Sequence, residues 1–250
     1  MSFLNRIFHG NTLYYPGCLT KFVAKDLGNN YRQILKKIGL DFIELIGIEA
    51  CCGSPVLKVG YFDDFKNLAE KNLKIFKDHS VTKIITSCPA CFMIFKKEYS
   101  KILGKRWNII ALHITEVLNE KLKIKNSKLI ENYKLKIENP GQESVVTYHD
   151  PCHLGRQMGV YEEPRGIIRS LDYEIKEMEL NRLDSFCCGG GGGVKSNEPE
   201  LANRIAQDRL RQAKKTGAEC LVTTCPLCYL HLKENAKDIE IKEISQLINR

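Results

Sequence analysis

The sequence predicts an α/β protein of two pseudo-symmetric, Rossmann-like halves with parallel strands, and three observations predict it. Ten of the eleven cysteines form one pattern written twice, short apolar runs stand just ahead of the cysteines in both copies, and longer stretches of helical composition separate those runs. Strands that alternate with helices stack into parallel α/β layers, because each crossover helix returns the chain to the same end of the sheet.

The repeat comes first. Cys18, Cys51, Cys52, Cys88 and Cys91 are answered by Cys152, Cys187, Cys188, Cys225 and Cys228, at offsets of 134, 136, 136, 137 and 137 residues. Cys220 alone stands outside the pattern. Each copy reads as a single cysteine, then Cys-Cys-Gly, then Cys-Pro-x-Cys, and agreement to within three positions over half a chain points to duplication. The expected organisation is a first half at 1–125, a polar and turn-rich connector at 126–143 containing Asn139-Pro140-Gly141, and a second half at 144–250.

Taken in order, the runs at 12–15, 42–46 and 83–86 read as strands of the first half, and those at 145–148, 175–180 and 221–224 as strands of the second. Residues 64–78 and 199–215 have helical composition; the second stretch is preceded by Ser196-Asn197 and closed by Gly217. In open parallel sheets the loops at the carboxyl ends of the strands form the binding crevice. The repeated cysteines all fall on such loops, so three loops per half are expected to meet at one spot.

Composition narrows the chemistry. With 250 residues, 43% hydrophobic and 27% charged, the chain can bury a core large enough to need no disulfide staples. No apolar run is long enough to span a membrane, and the start carries neither a continuous apolar stretch nor a small-residue cleavage site, so a cytoplasmic protein is expected. Membrane association would then come only through partner subunits. In a reducing compartment an odd number of many thiols reads as metal binding or redox chemistry. Residues 1–125 carry 20 Lys/Arg against 11 Asp/Glu, and residues 126–250 carry 18 against 19, giving +9 and −1. Such an excess suits an acidic partner, a small anion, an anionic membrane surface or simply a solvated lysine-rich face; no recognition motif supports nucleic acid.

Cys-Pro-x-Cys at a helix start places two sulfurs within reach of one metal, with proline suited to the first turn and the free helix N–H groups favouring thiolate. Vicinal cysteines do not readily form a relaxed disulfide with each other, yet both can reach a polynuclear cluster. Glycine after them lets the backbone turn sharply. Five thiolates exceed the four of tetrahedral zinc or a simple cubane, which favours a polynuclear iron–sulfur site over a zinc-stabilised interaction module.

On Tyr14-Tyr15-Pro16-Gly17-Cys18, Ala50-Cys51-Cys52-Gly53-Ser54-Pro55, Tyr148-His149-Asp150-Pro151-Cys152-His153-Leu154-Gly155-Arg156 and Cys187-Cys188-Gly189-Gly190-Gly191-Gly192-Gly193, the chain resembles the cysteine-rich CCG domain family. That family occurs in the B-type and D-type subunits of heterodisulfide reductase, the iron–sulfur subunits of glycolate and lactate oxidases, and the C-type subunit of anaerobic glycerol-3-phosphate dehydrogenase. The resemblance covers nearly the whole chain. It implies two iron–sulfur clusters of [4Fe-4S] type, held by Cys18, Cys51, Cys52, Cys88 and Cys91 and by Cys152, Cys187, Cys188, Cys225 and Cys228. In the B-type subunit of heterodisulfide reductase such clusters are noncubane and cleave a disulfide.

Many relatives also carry a ferredoxin module ahead of this part, and nothing of the kind precedes Cys18. Electrons are therefore expected to be exchanged with a separate ferredoxin-like iron–sulfur or flavin-containing subunit. The implied function is an oxidoreductase subunit acting on a disulfide or small anionic substrate. The alternative is an electron relay in a glycolate, lactate, glycerol 3-phosphate or succinate dehydrogenase.

The remaining residues carry weaker signals. The run from Gly189 to Gly193 fits close backbone packing better than a phosphate cradle, so no flavin or nucleotide is expected. His149 and His153 flank Cys152, where they could supply a proton or hydrogen-bond cluster sulfur; the other reading for each is a satisfied structural histidine. His113 is expected to cap or pack against a following helix, and Cys220 to be a small buried hydrophobe. Arg156 and Lys195 could hold an anion or lie on an ordinary surface. Phe3, Leu4, Ile7 and Phe8 could pack on the fold or form a docking strip.

Overall fold

The computed structural model describes residues 10–124 and 145–248. The apolar strip at 3–8 and the connector at 126–143 lie outside the described residues.

Seven strands are found among the described residues: β1 (Asn11–Tyr15), β2 (Val81–Thr86), β3 (Ile110–His113), β4 (Val145–His149), β5 (Glu174–Ile175), β6 (Cys220–Thr223) and β7 (Glu240–Glu243). The first half holds helices α1 (Cys18–Phe22), α2 (Lys25–Lys37), α3 (Ser54–Lys58), α4 (Phe62–Asp78), α5 (Pro89–Met93), α6 (Tyr99–Leu103) and α7 (Ile114–Ile124). The second holds α8 (Glu162–Ser170), α9 (Val194–Asn197), α10 (Pro199–Lys215), α11 (Pro226–Asn235) and α12 (Ile244–Ile248).

The strands form two separate parallel sheets of orders β1-β2-β3 and β5-β4-β6-β7. The expected α/β architecture with parallel strands is thus present in both halves. At the free edge of β1, Ile43 makes a single bridge to Leu13 where β5 pairs with β4 in the other sheet.

Two expected strands are therefore corrected: 42–46 contributes one bridging residue, and 175–180 only a two-residue strand. Both are edges. Beyond them Glu44 turns to Arg32 and Glu177 to Arg165, and these ion pairs take the place of further ladder. Two strands are added, β3 and β7, each four residues long and followed at once by a helix.

Strand alternation sends side chains to two layers. Leu13, Tyr15, Ile84 and Ala111 pack against α4 and the helices that follow β2, while Leu221 and Ile241 pack with α10 and α11. On the opposite faces Tyr14 and Ile85 of one sheet and Val146, Tyr148, Cys220 and Val222 of the other join a single core. Residues of α2, α7, α8 and α12 fill it, including Ile34, Leu35, Ile114, Ile168 and Ile244. The two halves thus share one hydrophobic layer and hold their cysteine-bearing strand ends in fixed relation. Among the described residues, no helix is long and apolar enough to cross a membrane.

Candidate functional site

The first and fourth cysteines of each set lie just beyond a strand, and the paired cysteines lie on the long loops beyond the edge segments. Cys18 opens α1 directly beyond β1, Cys51 and Cys52 lead into α3, and Cys88 is the residue ahead of Pro89 at the start of α5. In the second half Cys152 follows β4, Cys187 and Cys188 precede α9, and Cys225 stands before Pro226 of α11. Phe92 N–H donates to the Cys88 carbonyl and Tyr229 N–H to that of Cys225, both at 2.9 Å. These first turns carry Cys91 and Cys228 inward.

The sulfurs then lie near one another in series. In the first half their electrostatic coupling runs Cys18–Cys51–Cys52–Cys91–Cys88. In the second it runs Cys152–Cys187–Cys188–Cys228–Cys225. The order is the same, and Cys91 Sγ lies 3.3 Å from Cys52 Sγ. All of these thiols are free, with Cys18 and Cys51 exposed and Cys52, Cys91, Cys188, Cys225 and Cys228 buried. The ten predicted residues are therefore brought together as two sets of five.

Charge is already distributed within each set. Thiol hydrogen bonds from Cys18 and Cys52 hold Cys51 down to about 2, and those from Cys152 and Cys188 push Cys187 well below the usual thiol range. Cys88 comes down to about 7 through the Cys91 thiol, assisted by backbone N–H groups of the helix start. The donor thiols are pushed up in return, most plainly Cys91 and Cys228, which lie beside two neighbouring sulfurs each.

Glycine makes these approaches feasible. Gly53 and Gly189 have φ of 89° and 85°, and each donates its N–H to the preceding thiolate, Cys51 or Cys187, at 3.4 Å. A Cβ on Gly53 would stand 2.6 Å from the Phe65 ring, and one on Gly189 2.6 Å from the Ala202 carbonyl. On Gly17 it would lie 3.3 Å from Cys91 Sγ. Gly190 donates to Cys188 Sγ and packs against His231, so the close packing expected of the run holds at Gly189 and Gly190, whereas a Cβ on Gly192 would meet open space.

The supporting shell differs between halves. Three residues before the first cysteine stands Tyr15 in one half and His149 in the other. On the equal-length helices α4 and α10, Asn72 and Arg209 occupy corresponding positions. Tyr15 donates to the Ala50 carbonyl at 2.8 Å, and Asn72 clasps the same loop through Cys51 O at 2.9 Å and Ala50 N at 3.3 Å. In the second half the buried Arg209 instead donates Nε–H to His149 Nδ1 at 3.0 Å, and reaches the Leu180 carbonyl and Ser185 Oγ. Burial, then the guanidinium charge, holds His149 well below the usual imidazole range.

Beside it Arg165, fully buried, forms a two-pronged pair with Asp150 at 2.7 and 2.9 Å and another with Glu177 at 2.6 and 2.9 Å. The partnership of Lys58 and His153 crosses from one half to the other. Lys58 Nζ lies 2.6 Å from His153 Nε2, and His153 Nδ1 lies 3.3 Å from Cys152 Sγ. An ammonium only donates, so Nε2 accepts, and the imidazole proton sits on Nδ1 facing the sulfur.

Other sequence candidates fall elsewhere. Cys220 lies in β6 within the shared core, 3% exposed, as a small buried hydrophobe should. His113 ends β3, packs on Phe92 and bonds Thr115 at 2.7 Å. Arg156 donates to the Ser185 carbonyl and Lys195 pairs with Glu234, so both are engaged within the chain. Sequence reasoning missed Asn72, Arg209, Arg165 and Lys58. The faint signal for Arg209 was an arginine on the alanine-lined face of α10, with Ala202, Ala206 and Ala213.

Comparison with known proteins agrees with this duplicated layout. The CCG cysteine-rich domain matches twice, at residues 12–96 and 146–233. The chain is 34% identical over 247 residues to the D-type subunit of dihydromethanophenazine:CoB–CoM heterodisulfide reductase from Methanosarcina acetivorans, covering 95% of this chain and 58% of that protein. It is 33% identical over 242 residues to the B-type subunit of fumarate reductase (CoM/CoB) from Methanothermobacter marburgensis, covering 94% and 45%. It is 32% identical over 246 residues to EtfAB:quinone oxidoreductase of Syntrophomonas wolfei, covering 95% and 33%. The chain thus spans between about a third and three fifths of these relatives' lengths.

Proposed function

The chain belongs to the CCG cysteine-rich domain family, and from that premise we propose that it is an iron–sulfur redox subunit of a multi-subunit oxidoreductase acting on a disulfide-type substrate. The observation that carries this reading is the unbroken line of five sulfurs, in the same order, in each half. Cys18, Cys51, Cys52, Cys88 and Cys91 would hold one centre and Cys152, Cys187, Cys188, Cys225 and Cys228 the other. Five soft donors at one spot surpass the needs of a zinc tetrahedron. When bound, an iron–sulfur centre supplies one-electron storage and iron with affinity for sulfur.

The chain's own residues prepare the site. Cys51 and Cys187 are held as thiolates, so metal need displace few protons there. Gly17, Gly53 and Gly189 leave the space that a Cβ would fill. Asn72 clasps the first Cys-Cys loop, and Arg209 ties the second half's loop to His149. Cys18 and Cys51 are exposed, which opens the first set to a sulfur arriving from solvent. His153 holds a proton on Nδ1 beside Cys152, with the Lys58 charge behind it, where a departing thiolate would need both a proton and a countercharge.

Partner subunits follow from the same reading. The relatives named above include reductase subunits, and Phe22, Val23, Ile46, Ile48, Val59 and Phe62 are exposed on the segments around Cys18, Cys51 and Cys52. Such an apolar rim suits a ferredoxin-like or flavin-containing partner.

The test is electron paramagnetic resonance on anaerobically purified chain, with thiol, disulfide or dithionite added. An oxidised-state signal that responds to thiol or disulfide supports substrate chemistry. Redox-active centres indifferent to sulfur ligands make the chain an electron relay. Zinc in place of iron under strict anaerobiosis ends the redox reading.

A further inference from the structure

His149 Nε2 is buried and has no hydrogen-bond partner, in a residue only 1% exposed. An imidazole nitrogen of His149 and the Sγ atoms of Cys188 and Cys228 all lie within 4.8 Å of one another, a trio that could by itself pass for a metal site. Arg209 decides what this imidazole can do. A guanidinium has donors and no acceptor, so Nδ1, which faces Arg209 Nε at 3.0 Å, must be the accepting nitrogen. The single proton of the neutral ring is then on Nε2. That nitrogen has no lone pair to give iron, and it has an N–H to give sulfur.

We infer that His149 serves the second five-cysteine centre as an N–H···S donor rather than as an iron ligand, locked in that tautomer by Arg209, and that it makes the second centre easier to reduce than the first. This rests on the iron–sulfur reading above. A hydrogen bond to cluster or thiolate sulfur stabilises the more negative, reduced form and so raises the potential. The first centre has no such donor at the corresponding place, because the Tyr15 hydroxyl is spent on the Ala50 carbonyl and Asn72, where Arg209 would be, holds backbone. Arg209 is itself fixed by the Leu180 carbonyl, Ser185 and Gln212, the last at 2.8 Å. The lock is therefore part of the fold and exists before iron arrives. His149 and Arg209 are positioning residues in this account, acting on the centre's energetics rather than on substrate.

The test is a redox titration of the anaerobically loaded chain, followed by electron paramagnetic resonance, in the wild type, His149→Phe and His149→Gln. Two separate potentials are expected. His149→Phe should lower the higher one by the equivalent of about a tenfold change in its reduction equilibrium, the size of one hydrogen bond, and leave the lower unmoved. His149→Gln, whose amide can accept from Arg209 and donate to sulfur, should restore most of the difference.

Because His149→Phe leaves a buried guanidinium without its acceptor and can fail to fold, a second measurement stands on the wild type alone. With 15N-histidine, pulsed resonance should show a weak nitrogen coupling at one centre, and that coupling should survive His153→Ala. The strong coupling of a nitrogen bonded to iron, or potentials indifferent to His149→Phe, would overturn the inference. A chain that binds no iron would overturn the underlying reading instead, and iron analysis tells the two failures apart.

Discussion

The two halves place their sulfurs alike and support them differently, and the contrast separates what the chemistry requires from what the fold can vary. Common to both are the strand-end loops, glycine after the paired cysteines, proline after the fourth, and the order of sulfur contacts. Around them Tyr15 and Asn72 give way to His149 and Arg209. Likewise Arg32 of α2 corresponds to Arg165 of α8, each pairing with the glutamate twelve residues on, Glu44 or Glu177. Arg32 is partly exposed, whereas Arg165 is buried and holds Asp150 as well. The required features set sulfur geometry. The variable ones set local charge.

The largest expected effect breaks this comparison at Arg165. Arg165→Met leaves the buried Asp150 carboxylate uncompensated and should destabilise the fold by about 3–5 kcal/mol in urea unfolding. Arg32→Met, at the matching position, removes a partly exposed ion pair with Glu44 and should lose about 1 kcal/mol or less. Equal losses would mean that the two positions do the same work.

Next come the glycines. Gly53→Ala meets left-handed strain of about 1–2 kcal/mol and an aromatic ring that can move aside. Gly189→Ala meets the same strain and a backbone carbonyl inside α10, which cannot. The second half should therefore lose more stability, and more of its iron, than the first. A larger loss for Gly53→Ala would contradict the packing described here.

The pH response sharpens the comparison at the ends of β3 and β7, where Glu243 occupies the position that His113 holds in the first half. Burial pushes Glu243 up to about 7 from an ordinary 4.5, against lowering hydrogen bonds from Ser245 and Tyr31. The folded state then keeps a proton that the unfolded chain has lost. Its contribution is complete below about pH 4.5 and disappears as pH rises through about 7, a swing of about 3 kcal/mol at most. Burial pushes His113 down to about 3. Unfolded histidine binds a proton that the folded one refuses, so stability falls as pH drops below about 6.5. Glu243→Gln should flatten the alkaline limb of a stability profile and leave the acid limb. A profile unchanged by that substitution would show that Glu243 ionises normally.

These particulars also show how far the sequence can be read. The cysteine loops were legible because a repeated residue type at a repeated spacing survives any divergence around it, and α10 was bounded at both ends by its flanking signals. The edge segments 42–46 and 175–180 misled because apolar composition says nothing about whether a neighbouring strand is there to pair with. The strands β3 and β7 escaped notice because Glu240-Ile241-Lys242-Glu243 alternates too briefly and carries three charges. Arg209 was invisible for a different reason. Arginine on a helix reads as surface until topology packs that face under a loop, and only the folded chain shows that it decides the tautomer of His149.

The central claim is that each half holds its own iron–sulfur centre through its own five cysteines. The most direct measurement is iron and sulfide per chain, prepared anaerobically, in the wild type, Cys52→Ser and Cys188→Ser. The account predicts about eight iron atoms in the wild type, as two four-iron centres would give. It predicts about half that in each variant, with the first half's resonance signal lost in Cys52→Ser and the second's in Cys188→Ser. Equal loss of both signals in either variant would contradict it, because a single centre or an inseparable pair would then be shared by the two halves.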